Sequence, residues 1–179
     1  MSLYFIAIIP HLELKDQIQS LKEEMKERFH AKHAIKSPAH ITLQMPFKRN
    51  KEDEHSIIER LQNFASNHNL INIELNGFGC FSPRVIFIKV KDHTSIVELH
   101  SNLKKVLIDE LSFKENEISN KIHPHMTIAT RDLTDKAFLK AWPEFEQRKF
   151  KASFTVKNLF LLKHNGKYWD IFKEFLFQE

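Results

Sequence analysis

The chain has 179 residues, 42% of them apolar and 28% charged, with a net charge of +4 before any histidine is protonated. That length supports one good-sized core or two closely packed lobes, and no apolar run approaches the ~20 residues of a membrane helix. A single cysteine, Cys80, excludes an internal disulfide and a cysteine-based zinc site. The start Met1-Ser2-Leu3 lacks the basic segment of a secretory leader, so the expectation is a cytoplasmic protein without membrane contact.

In chain order, residues 3–9 form an apolar run closed by Pro10 and read as a buried strand. Leu14, Ile18, Leu21, Met25 and Phe29 then recur at helical spacing, which predicts a helix over 12–31. Ser37-Pro38 breaks the chain before a second strand that carries His40-Ile41-Thr42-Leu43 and runs to about Phe47. A helix is predicted over 52–67, with Ile57, Ile58, Leu61, Phe64 and Ala65 on one face. Strands 71–81 and 85–91 form a hairpin around Ser82-Pro83.

Thr94 is placed to cap a helix carrying Ile96, Leu99, Leu103, Val106 and Leu107. His125-Met126-Thr127-Ile128 follows Pro124 as another strand. Thr134 caps a helix reaching about residue 148, which Pro143 should kink or split. Strands over 150–156, 158–163 and 167–175 close the chain, with Asn165-Gly166 predicting a type I′ turn between the last two.

A shift of 85 superposes the two halves. Helix starts 12 and 52 fall on 97 and 137, strand start 71 falls on 156, and strand 85 answers strand 3 with an offset of 82. The order predicts an α+β fold, a bilobal pseudo-twofold duplication. Two mostly antiparallel sheets would line a central cleft, with helices on the outside. No Gly/Ser/Pro-rich linker divides the chain, so residues 1–179 are taken as one domain built from repeats of about 1–84 and 85–179.

The two motifs His40-Ile41-Thr42-Leu43 and His125-Met126-Thr127-Ile128 lie 85 positions apart. In a strand alternate side chains share a face. His and Thr therefore point one way, and the apolar pair anchors the strand in a core. With 11 His and 6 Thr in the chain, chance placement gives about 0.4 His-x-Thr pairs, and roughly 0.07 once both apolar positions are required. Two copies point to a shared site.

The chemistry suits that pairing. A neutral imidazole accepts a proton from water, and a protonated one donates to a leaving alkoxide. Threonine hydroxyls on the same face can donate to phosphoryl oxygens. These motifs, their spacing and the duplicated order resemble the 2H (two-histidine) phosphoesterase superfamily, nearest to the 2′-5′ RNA ligase branch with its RNA cyclic phosphodiesterases. The resemblance implies His40 and His125 as the catalytic pair and Thr42 and Thr127 as phosphate binders. It also implies metal-independent chemistry without a cofactor on 2′,3′-cyclic phosphates of RNA ends or nucleotides, or on 2′-5′ linkages. Hydrolysis, ligation and non-catalytic binding of RNA ends or cyclic nucleotides stand as alternatives. Hydrolysis to a 2′-phosphate, by a monomer with His125 as base and His40 as acid, is the leading expectation.

Some RNA-acting members carry Arg five residues after the second His. Here that position is Thr130, and Arg131 follows. Arg131 is either a substrate-binding group brought in by a register change or a solvent-exposed charge beside Asp132. His40, His123 and His125 lack nearby carboxylates other than Asp132, so no metal site is expected. His30 and His33 read as residues of a helix end, and Phe47, Phe81 and Trp169 as core aromatics rather than base-stacking rings. Lys48 and Arg49 read equally as phosphate contacts or as a solvated turn.

Overall fold

The computed structural model describes residues 1–178. Eight strands and four helices alternate as β1 (Ser2–Ile8), α1 (Leu12–Phe29), β2 (Ile41–Arg49), α2 (Glu54–Ser66), β3 (Ile71–Phe81), β4 (Val85–Val90), α3 (Thr94–Asp109), β5 (His125–Ala129), α4 (Asp135–Gln147), β6 (Lys151–Val156), β7 (Asn158–His164) and β8 (Trp169–Leu176). They build two four-stranded antiparallel sheets, ordered β2-β1-β7-β8 and β5-β4-β3-β6. The architecture is α+β, as the strand and helix periodicities predict.

The sheets cut across the repeats. β3, from residues before 85, completes the second sheet beside β4, and β7 and β8 complete the first sheet beside β1. The helices follow suit: α2 packs on β8, whereas α1 packs on β5 and α4 on β3. One large apolar core runs continuously through both sheets and all four helices.

From Leu3 onward β1 is apolar because both of its faces are covered. Tyr4, Ile6 and Ile8 enter the main core. Phe5, Ala7 and Ile9 join Phe160, Leu162 and Trp169 in a smaller cluster on the opposite face. That opposite face is the one that carries the cleft.

Several local details depart from the sequence expectations. α4 passes through Pro143 unbroken; Pro143 faces solvent, and Leu139, whose carbonyl loses its partner, is 72% exposed. Thr94 is the first residue of α3 rather than its cap, and its N–H and Oγ1 both donate to the Asp92 carboxylate at 2.9 and 2.7 Å. Thr134 does cap α4, accepting from the Ala137 N–H at 3.2 Å. The β7–β8 connection spans 165–168 rather than two residues, since His164 pairs with Trp169. There the Asn165 side chain accepts from the N–H groups of Lys167 and Tyr168, so the side chain shapes a wider turn. Gly166 takes its φ of 101°.

Candidate active site

Both His motifs have the predicted alternation. Ile41 and Leu43 are 0% and 2% exposed, and Met126 and Ile128 are both 0% exposed, all in the main core. His40, Thr42, His125 and Thr127 are half-buried on the other face. A β-bulge interrupts each motif at its fourth residue. Ile6 and Ala7 face Gln44 and Thr42, leaving Leu43 as the extra residue; Ile86 and Phe87 face Ala129 and Thr127, leaving Ile128. The bulge explains why two consecutive residues, Leu43-Gln44 and Ile128-Ala129, are buried in each strand.

The two imidazoles are locked in the same way. His40 Nδ1 donates to the Pro38 carbonyl at 2.7 Å, and His125 Nδ1 donates to the His123 carbonyl at 2.5 Å. A carbonyl can only accept, so Nδ1 carries the hydrogen and Nε2 is the nitrogen left for proton exchange. Each ring also rests on a phenylalanine from the neighbouring strand. Phe5 lies 4.9 Å from His40 and Phe87 lies 4.8 Å from His125, centroid to centroid. Phe5 and Phe87 are 82 apart, the offset that relates β1 to β4.

β2 and β5 approach each other across the two sheets. Between them lies a cleft of about 530 Å³ lined by His40, Thr42, Thr127, Thr130 and Arg131. His125 stands two residues before Thr127, and its charge acts on His40. Burial pushes the His40 pKa down to about 4, helped by the Lys22 ammonium and by His125. The His125 pKa is also lowered, first by burial and then by His123 and His93.

Arg131 resolves toward the cleft. It is exposed and lines the cleft in the left-handed conformation, φ 59°, at the turn after β5. Beside it, Asp132 turns away and accepts from the N–H groups of Lys32 and His33, both at 3.1 Å. The exit of β5 is thereby tied to the 3₁₀ turn His33–Lys36.

The same cleft gathers His33, Lys36, His164 and Trp169, which come from three separate segments. His33 thus belongs to the cleft rather than to the end of α1. Trp169 is half-buried, packs edge-on against Phe5 at 4.7 Å, and presents an aromatic wall beside His40. Phe47 is core, 4% exposed. Phe81 is not: it is 42% exposed, with its centroid 5.2 Å from His125 and 5.4 Å from His123. Arg49 is taken up by Glu117 at 2.9 Å and by the Phe113 ring at 3.9 Å, away from the cleft. Among the described residues no group of three or more His, Cys, Asp or Glu is placed to hold a metal.

An α+β frame in which a His-x-Thr strand from each of two antiparallel sheets borders one cleft is of the two-histidine phosphoesterase type. The chain belongs to the 2′-5′ RNA ligase superfamily, whose family model matches residues 10–167. It is 26% identical over 178 residues to a proposed phosphoesterase of Geobacillus sp. strain WCH70, a match covering 97% of this chain and 95% of the relative. In structure it is similar to the TT0787 protein of Thermus thermophilus, at 18% identity and a TM-score of 0.69, covering 99% of this chain and 98% of that one. It is also similar to E. coli LigT complexed with 3′-AMP, at 17% identity and a TM-score of 0.69, with 99% of each chain covered. These structural likenesses bear on the fold. Among the described residues no helix is long and apolar enough to cross a membrane.

Proposed function

We propose that the protein is a phosphodiesterase that hydrolyses 2′,3′-cyclic phosphates of RNA ends or nucleotides to 2′-phosphates without a metal ion. The observation that carries the proposal is the matched pair of imidazoles, each fixed through Nδ1 by the carbonyl two residues before it. Such a lock presets the tautomer and leaves two like nitrogens for opposite roles. Thr42 and Thr127 supply hydroxyl donors to the phosphoryl oxygens, and Arg131 supplies a fixed positive charge. E. coli LigT has been solved with 3′-AMP and with ATP, and here the cleft carries an aromatic wall, Trp169, suited to a base.

In the reaction, one imidazole takes a proton from water as its oxygen bonds to phosphorus. The P–O3′ bond breaks, and the other imidazolium protonates the departing ribose oxygen. The difference between the two environments supports one order for these roles. His40, with its pKa reduced to about 4, is the stronger candidate for the neutral base, and His125 for the acid. This reverses the assignment expected from the sequence.

The test is a turnover screen of 2′,3′-cyclic nucleotides and cyclic-phosphate-ended RNA in EDTA, with product position read by phosphorus NMR. A 2′-phosphate product formed in chelator supports the proposal. Activity that disappears with chelator and returns with a divalent ion refutes it, and nucleotide binding without turnover favours the binding-module reading.

A further inference from the structure

Lys22 is the one lysine that the cleft chemistry does not use and the surface does not explain. It sits on α1 with only 1% of its surface exposed, and no ion pair reaches it among the described residues. Its Nζ donates to the Ala34 carbonyl at 3.0 Å and to the Ser37 carbonyl at 2.8 Å. Both acceptors belong to the segment 33–37 that lines the cleft. The next carbonyl along, that of Pro38, is the one that holds His40 Nδ1. The same segment is held at its other end by Asp132, through the N–H groups of Lys32 and His33.

An unpaired buried lysine is costly. A methionine of similar length would fill the space without that cost, though it would leave two carbonyls unmet. We propose that Lys22 is a positioning residue for His40, clamping the turn whose Pro38 carbonyl orients the imidazole. The inference extends the catalytic reading of His40 but makes a claim about that imidazole that can be read without turnover.

The surroundings favour this role. His40 shares its cleft with Arg131 from the turn after β5, His33 and Lys36 from the 3₁₀ turn, and His164 from β7, and it feels the charge of His125 on β5. No carboxylate joins them at the cleft. Among the charged groups around the ring, Lys22 is the largest electrostatic influence on His40. Burial lowers the Lys22 pKa to about 7, so the amine is charged throughout the acidic range in which His40 titrates. Its charge opposes that of imidazolium, and removing it raises the proton affinity of His40.

The experiment is an NMR titration of the His40 ring in the full-length wild type, Lys22→Met and Lys22→Gln, with kcat/KM measured over the same pH range. The wild-type ring should titrate at about 4. In both variants its midpoint should rise by roughly one unit, the low end for a neighbouring charge, while that of His125 stays put. The acid limb of kcat/KM should move with it. Lys22→Gln keeps a donor for one carbonyl and should raise KM less than Lys22→Met. An unmoved His40 midpoint in a folded variant that has lost activity would make Lys22 merely structural and overturn the proposal. So would failure of both variants to fold. Should no cyclic phosphate be turned over by the wild type, the ring titration alone decides the matter.

Discussion

The two halves of the cleft share a geometry and differ in what lies behind it. Around both His40 and His125 the backbone lock, the bulge at the fourth motif residue and the supporting phenylalanine are alike. Behind His40 stand a buried lysine and a closed turn. Around His125 stand His123, His93 and the exposed ring of Phe81. The repeated motif supplies two imidazoles held alike, and the surroundings behind them make His40 a weaker proton acceptor than His125. A site that must hold a base and an acid at one pH needs that inequality.

Removing either imidazole is the most direct way to break the pairing. His40→Ala and His125→Ala should each lower kcat by ~10²–10⁴-fold, the usual range for a positioned acid or base. The double variant should be little worse than the single ones, because the two groups act in one step. Steady-state rates on a cyclic mononucleotide check this. A single variant that retains wild-type turnover would dissolve the catalytic pair.

A smaller loss should follow from the hydroxyls. Thr42→Ala and Thr127→Ala should each cost about 1–3 kcal/mol in kcat/KM, the worth of a hydrogen bond to a charged group. Near-equal losses would show that the hydroxyls remain symmetric although the imidazoles do not.

The support beneath His125 can be disturbed from a distance. A Cβ at Gly79 would lie 2.6 Å from Cε2 of Phe87, so Gly79→Ala must displace the ring that supports His125. The expected result is a loss of stability of about 1–3 kcal/mol, the usual cost of overpacking, together with a lower kcat. The His125 ring resonance should shift in the NMR spectrum while that of His40 does not. Equal shifts in both rings would deny that the halves are separately supported.

The pH profile sharpens the comparison without mutation. His40 must be neutral to act as base, so kcat/KM should fall as pH drops through about 4. His125 must be protonated to act as acid, and its pKa lies below its ordinary 6.5. The alkaline limb should therefore begin below pH 6.5, placing the optimum in mild acid. Stability should follow the same groups. Between pH 6.5 and about 4 the unfolded chain binds the His40 proton and the folded one does not, so stability declines across that window as pH falls. Denaturant midpoints at about pH 7 and about pH 5, on either side of the unfolded-state pKa, measure it. A rate that is flat from acid to alkaline pH would exclude the mechanism.

How much of this could be read from the chain depended on distance along it. The period-2 motifs, the repeat offset and most element boundaries rest on local spacing, and that spacing shows directly. His33, Lys36, His164 and Trp169 reach the cleft from three segments with no shared pattern, and only the folded arrangement gathers them. The left-handed turn that sets Arg131 at the cleft is not marked by composition. Phe81 reads as core because aromatic residues bury well, yet its place at the end of β3 leaves it open. The bulges at Leu43 and Ile128 needed the partner strand to define them.

The exchange of strands between the repeats bears on how such a molecule can be cut. Residues 1–84 contain β1 and β2 but not β7 or β8, and they carry β3 away from its partners β4 and β6. A half-molecule would thus expose the edges of two incomplete sheets. Coexpressed fragments severed at the β3–β4 turn should find each other, because every sheet needs strands from both. By the same logic a single ancestral repeat could close its sheets only by lending its third strand to a twin, so fusion of the two genes would have recorded an association that already existed.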